Sequence, residues 1–215
     1  MEQNKLAWEE IERKELLKTA VLSVNETLSK GPDSSERKYI VIDAPDWVIV
    51  VPEIDGKFIT VRQWRHGSKS LSIEFPGGVI NKGESPVDAA KREMEEETGY
   101  KSENLVYLGC ASPNPAIMSN KVHFFAAQDL KSTGVRHLDE DEFVEYAQIP
   151  VEEVCSKIGS EEYPHALMMS ALLRYKLWKE KKMPCLLKQG QKTSDSPNMG
   201  RIFWTDCKLH PCTLR

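Results

Sequence analysis

The stretch GGVINKGESPVDAAKREMEEETGY, Gly77–Tyr100, decides how the rest of the chain is read. Ser85 precedes Pro86, and Asp88 follows the serine by three residues. That is an N-cap, a proline at the first helical position and an acidic variant of the capping box. Gly99 is placed to end the helix, so the spacing predicts a helix from Pro86 to Thr98. At about 100° per residue, Val87, Ala90 and Met94 form an apolar stripe. Asp88, Lys91 and Glu95 form a solvated charged stripe. The third face carries Ala89, Glu93, Glu96 and Glu97, with Ala89 leaving it open.

Gathering three carboxylates there is a poor structural choice. Glu93 and Glu97 are like charges at i,i+4, costing about 0.2–0.5 kcal/mol. Their position toward the helix C-terminus costs about 0.3–1 kcal/mol each against the helix dipole. A divalent cation reverses both signs, and hard oxygen ligands suit Mg²⁺ or Mn²⁺. A solvated acidic face is the alternative. The preceding Pro76-Gly77-Gly78 weighs against it, because a strand ending there can bring backbone carbonyls toward the same face.

The spacing resembles the signature of the Nudix hydrolases, G-x5-E-x7-R-E-U-x-E-E-x-G-U, with U a bulky apolar residue. Gly78, Glu84, Arg92, Glu93, Met94, Glu96, Glu97 and Gly99 match it. Tyr100 stands where an aliphatic is usual. The resemblance implies an α/β fold, the Nudix-type α/β/α sandwich with a mixed central sheet, and hydrolysis of a nucleoside diphosphate linked to another moiety. It implies that Glu93, Glu96 and Glu97 hold divalent cations, Mg²⁺ with Mn²⁺ as a substitute, with the Gly77 carbonyl as a backbone ligand. Glu84 and Arg92 would mainly position loop and helix, with Arg92 reaching Glu96 at i+4.

The remaining chain agrees with that architecture. Residues 5–18 are expected to begin as a short helix, with a strand from Ala20 to Glu26 and another at RKYIVIDAP. DWVIVVPEIDGKFITVRQWR reads as a hairpin about Asp55-Gly56, and SLSIEFPGG as a short strand. Beyond the helix, NLVYLGCAS, KVHFFAAQDL and EFVEYAQI have strand length, VEEVCSKI reads as a short helix, and EYPHALMMSALLRYKLWKEKK has helical periodicity. Strands, a helix, more strands and then helices suit a mixed sheet covered on both faces. The organisation is N-terminal strands over 1–45 as a dimer-forming extension, a hydrolase domain over 46–183, and a polar tail over 184–215.

Composition sets the outer bounds. The net charge of −4 over 215 residues argues against a nucleic-acid surface, including the basic RNA channel of a decapping enzyme. No apolar run approaches the ~20 residues that span a bilayer, and the charged N-terminus is unlike a secretory signal. Five sparse cysteines fit reduced thiols in a cytoplasmic protein. Cys207, His210 and Cys212 fall short of the four ligands a structural zinc site needs.

VRQWRHGSKSLSIEFPGG resembles the run that precedes the signature in ADP-ribose and ADP-sugar pyrophosphatases. The resemblance implies that Arg65 and Glu74 contact substrate and that the N-terminal strands form a homodimer interface. That subfamily often carries S-P-G-x-x-x-E after the box. Here SPNPAIMSN keeps Pro115 but has Ala116 and Asn120 for the glycine and glutamate, leaving the substrate open. Glu142, or its neighbour Glu140, is the candidate base in the acidic stretch before the last strand, where an exposed acidic turn is the other reading. Trp47 and Trp64 could stack on an adenine or serve core or interface, and His123 reads as a strand residue. The expected substrate is ADP-ribose, yielding AMP and ribose 5-phosphate, or a related nucleotide sugar. A dinucleoside polyphosphate or NADH is the runner-up. A non-catalytic nucleotide sensor is the reading of a different class.

Overall fold

In the computed structural model, residues 5–136, 138 and 143–182 are described. Asp55 and Gly56 both take positive φ, 50° and 74°, as a two-residue type I′ hairpin requires. They join β4 (Trp47–Ile54) to β5 (Lys57–Arg65). The two strands pair only beside the turn, at Glu53↔Phe58 and Ile54↔Lys57, and then diverge. Farther along, β5 pairs instead with β6 (Ser70–Glu74). The segment after β6 fills the gap alongside β4. Val50 N–H donates to the Pro76 carbonyl, Val48 N–H to Gly78 and Ile80 N–H to Asp46, each at 2.9 Å. The splayed hairpin therefore seats the glycine loop inside the sheet.

The helix forms where the sequence predicts it. α1 runs Pro86–Thr98, with Ser85 Oγ accepting from Asp88 N–H and Gly99 in the left-handed region at φ 69°. Beyond it come β7 (Tyr100–Lys101), β8 (Asn104–Ala111), β9 (Val122–Gln128), β10 (Lys131–Ser132) and β11 (Glu145–Pro150). α2 (Val151–Lys157) and α3 (Ala166–Lys182) follow. The main sheet has the order β11-β5-β4-β9-β8, with β6 on β5. It is mixed, since β4 and β9 are parallel and the other pairs antiparallel. β9 is buried nearly throughout, as a central strand covered on both faces should be. Val48, Val50, Phe125 and Ala127 pack on Ala89, Ala90 and Met94 of α1. Val51, Val122, Phe124 and Ala126 face Met168, Ala171, Leu172 and Tyr175 of α3. The alternation of strand side chains thus produces the expected sandwich.

Two expectations need correction. The stretch 5–18 forms a strand, β1 (Glu9–Lys18), although its Glu, Lys and Leu favour helix. Pairing with β2 (Ser23–Lys30), from Glu9↔Lys30 to Lys18↔Ser23, occupies its backbone and overrides that propensity. β2 begins at Ser23 rather than Ala20 because the Thr19 hydroxyl accepts from Val21 and Leu22 N–H and closes the turn. β3 (Glu36–Asp43) completes a separate three-stranded antiparallel sheet. The second correction concerns α1. Ala89 is fully buried in the core and Val87 is 39% exposed, so the helix turns the arc of Ala89, Ala90 and Met94 toward the sheet. The face expected to be left open by Ala89 is closed there by packing.

Candidate active site

Arg92 organises the carboxylates of α1. Its Nε donates to Glu84 Oε1 at 2.8 Å and its Nη2 to Glu84 Oε2 at 2.9 Å. Nη2 also donates to the Val79 carbonyl at 3.0 Å. Nη1 donates to Glu93 Oε1 at 2.8 Å and Glu96 Oε2 at 3.0 Å. One planar guanidinium therefore ties the glycine loop to the helix face, which suits its fixed fork. Glu84 in turn accepts from Asn81 N–H at 2.9 Å. The bonds to Glu84 raise the Arg92 pKa above its ordinary value, with Glu93 and Glu96 adding to it. The same bond holds the Glu84 carboxyl below its ordinary range.

Glu97 is bound differently. It is 4% exposed, and its Oε2 accepts from Gly77 N–H at 2.9 Å. The carbonyls on either side, Pro76 and Gly78, accept from β4. Their alternation leaves the Gly77 carbonyl without a hydrogen bond among the described residues. The two glycines are needed for close approach. A Cβ on Gly77 would strike the Val48 carbonyl, and one on Gly78 would lie 2.5 Å from the Glu93 carboxylate. Among the described residues no three acidic, imidazole or thiol groups converge into a ready-made metal cluster. The donor set still fits a hard divalent ion. Glu97 and Glu93 reach the glycine loop, Arg92 ties Glu96 beside Glu93, and with the unengaged Gly77 carbonyl every donor is oxygen.

Arg65 and Glu74 lie together. Arg65 Nε and Nη2 donate to the two Glu74 oxygens at 2.8 and 2.5 Å. Glu74, between Ile73 and Phe75 in the sequence, therefore faces this guanidinium. Burial pushes the Glu74 pKa up, but the Arg65 hydrogen bond and the charges of His165 and Arg65 outweigh it and leave the group lowered. The Arg65 pKa is raised, chiefly by Glu74, and the group also feels the Glu97 charge. The pair thus lies within electrostatic reach of Glu97.

The other expected site residues are scattered. Trp47 is half-buried against the core on the α3 side, while Trp64 is 48% exposed. Pro115 is exposed in a turn whose neighbours bond to β3, through Ile42 N–H to the Ile117 carbonyl at 2.7 Å. Asn120 is buried, donating to the Pro45 carbonyl at 3.0 Å, with its own Oδ1 unpartnered. His123 lies in β9 between Tyr107 and Asp46. Glu140, Glu142 and the cysteine-rich tail lie outside the described residues. Two residues near Arg65 carried no sequence signal, Ser72 and His165. Both line a cleft with Arg65 and Glu74.

A mixed sheet between helices, with a glycine loop and a carboxylate helix clipped by one arginine, defines a class: hydrolases that work on diphosphates with divalent metal. The NUDIX domain model matches residues 44–172, and the chain belongs to that family as a pyrophosphohydrolase. It is 35% identical over 133 residues to the ADP-ribose pyrophosphatase of Bacillus subtilis (strain 168), covering 61% of this chain and 72% of that protein. It is 30% identical over 131 residues to the ADP compounds hydrolase NudE of Escherichia coli (strain K12), covering 61% and 70%. A crystal structure of an ADP compounds hydrolase superposes with a TM-score of 0.73 at 25% identity, covering 81% of this chain and 95% of that one.

Proposed function

We propose that the protein hydrolyses the diphosphate of ADP-ribose, or a related nucleotide sugar, to AMP and a sugar phosphate. For ADP-ribose that product is ribose 5-phosphate. The observation that carries this reading is the placement of the Arg65–Glu74 pair beside the Glu97 and Gly77 end of the carboxylate helix. That placement supports Arg65 and Glu74 as a recognition element for the substrate. The relatives' names, an ADP-ribose pyrophosphatase and an ADP compounds hydrolase, support the same substrate class. The second name also supports a broader range of ADP compounds.

Glu93, Glu96 and Glu97, with the Gly77 carbonyl, are the residues proposed to hold Mg²⁺. Bound there, the metal supplies charge neutralisation for the diphosphate and acidifies water. Arg92 and Glu84 hold helix and loop in register. Arg65 orients the diphosphate through Nη1, the nitrogen that Glu74 does not occupy. Glu142, with Glu140 as the other candidate, is proposed to take the proton from the attacking water. Water adds to phosphorus as the bridging P–O bond breaks, and the departing oxygen leaves as a phosphate oxygen.

The exposed side chains of the N-terminal sheet support a homodimer. Leu6, Ile11, Leu16 and Leu17 around β1, with Tyr39 and Ile40 of β3, are 43–81% exposed. A monomer seldom leaves so much apolar surface in one region. Cytoplasmic residence is proposed from Cys110 and Cys155, which form no disulfide among the described residues; no described helix is long and apolar enough to cross a membrane. Turnover on a panel of ADP-ribose, ADP-glucose, GDP-mannose, NADH and diadenosine polyphosphates, with Mg²⁺ and with EDTA, tests the substrate reading. Metal-dependent cleavage concentrated on ADP-ribose is expected. Cleavage of none would favour a nucleotide sensor.

A further inference from the structure

A cleft of about 500 Å³ lies between the turn after β5, the outer edge of β6 and the start of α3. Its volume falls within the range of small-ligand sites. Ile73 N–H donates to the Glu162 carbonyl at 2.9 Å, which draws the chain before α3 along the edge of β6. That pairing brings His165 over Glu74, with Nε2 3.8 Å from Glu74 Oε2. The distance is too long for a hydrogen bond, yet short enough for one hydroxyl to touch both atoms. His165 Nδ1 accepts from Leu167 N–H at 3.2 Å. In the neutral ring the proton is therefore on Nε2, facing the acid. Burial keeps that ring neutral at pH 7 by lowering its pKa, against the opposing pull of Glu74.

Ser72 supplies the independent observation. It is 1% exposed, lines the cleft, and its Oγ makes no hydrogen bond of normal geometry, although the Glu74 carboxylate is near enough to feel it. A buried hydroxyl left unpartnered is unfavourable by itself and is satisfied by a ligand that reaches it. The groups facing the cleft are mixed in kind. His165 Nε2 donates, Glu74 accepts, and Ser72 does both. A phosphate in this place would stand against the Glu74 carboxylate. A sugar hydroxyl matches every group, since it donates to Glu74 while accepting from His165.

We propose that this cleft is the subsite for the sugar beyond the diphosphate, with Ser72, Glu74 and His165 reading its hydroxyls. The inference rests on the reading of the protein as a nucleotide-sugar hydrolase and assigns that sugar a place. Ser72 and His165 become specificity residues outside the signature.

The test is an equilibrium titration followed by NMR in EDTA, to millimolar ligand, using ADP-ribose and the β-phenyl ester of ADP. The second ligand keeps the nucleotide and the diphosphate but has no sugar hydroxyls beyond them. The wild type should prefer ADP-ribose. Ser72→Ala and His165→Ala should each weaken ADP-ribose about tenfold, the size of a lost neutral hydrogen bond, and leave the phenyl ester unchanged. Ser72→Ala should also unfold at the same temperature as the wild type or higher, because it removes an unpartnered hydroxyl. Equal losses for both ligands, no loss for either, or a wild type with no preference would overturn the proposal. Turnover is measured separately. Its absence in the wild type would overturn the hydrolase reading, while the titration would still decide the subsite.

Discussion

Glu97 Oε2 accepts the amide of Gly77 at 2.9 Å, so the last turn of α1 is fastened to the loop that precedes the helix. This bond fixes one carboxylate on the side of the loop where the Gly77 carbonyl is unengaged. The other two, Glu93 and Glu96, are held by Arg92. Loop and helix form one rigid piece, and the effects of mutation should separate along these two attachments.

The glycines should differ. Gly77→Ala drives a Cβ into the backbone carbonyl of Val48, which cannot move without breaking the seat of the loop. A loss of about 1–3 kcal/mol is expected from such overpacking, read as a lower urea midpoint. Gly78→Ala meets only the Glu93 carboxylate, a side-chain end. It should unfold close to the wild type while losing activity more than tenfold.

Arg92→Lys keeps the charge and loses the fork. A lysine cannot reach Glu84, Val79, Glu93 and Glu96 at once. Activity should fall about 10–100-fold, as for other residues that orient ligands from behind. Guanidinium added to an Arg92→Ala variant should restore part of kcat, and it should not do so for Glu97→Gln.

Acid should weaken the fold in two steps that involve the Arg65 cleft. His165 and Glu74 both sit below their ordinary values of 6.5 and 4.5. The unfolded chain therefore takes up each proton first, and stability falls as pH drops. The His165 contribution is complete above about pH 6.5 and is lost as pH falls through its lower folded value. The Glu74 contribution behaves likewise below about 4.5. Urea midpoints from pH 8 to 4 should decline more steeply below 6.5 in the wild type than in His165→Gln. Parallel profiles would contradict the assignment.

The N-terminal sheet should carry association. Leu17→Lys on the exposed face of β1 should convert a dimer to a monomer by light scattering. Its effect on the thermal unfolding of dilute protein should be small, since the residue is 55% exposed in the single chain.

The helix was legible almost to the residue, because its signals are local: Ser85 and Pro86 at one end and Gly99 at the other. The spacing singled out Glu93, Glu96 and Glu97, and the structure ties these carboxylates to Arg92 and to the Gly77 amide. The face of α1 that meets the sheet did not, since periodicity fixes relative angles but not which arc is buried. Val87 was read into the apolar stripe and is exposed, while Ala89 was read as open and is core. β1 was misread because pairing with β2 supplied what its helix-favouring composition concealed. Ser72 and His165 were invisible for a similar reason. Their cleft exists only because Ile73 pairs with Glu162, far along the chain. The pairing of Arg65 with Glu74 was half legible. The sequence singled out both residues as substrate contacts, but did not pair them.

The most direct measurement is kcat for ADP-ribose by the wild type and Glu97→Gln, in Mg²⁺ and in EDTA. Glutamine keeps an oxygen to accept the Gly77 amide and removes the charge. The account predicts turnover by the wild type in Mg²⁺, none in EDTA, and a loss of about 100-fold or more in Glu97→Gln with unfolding unchanged. Equal turnover by the two proteins, or turnover indifferent to EDTA, would contradict it.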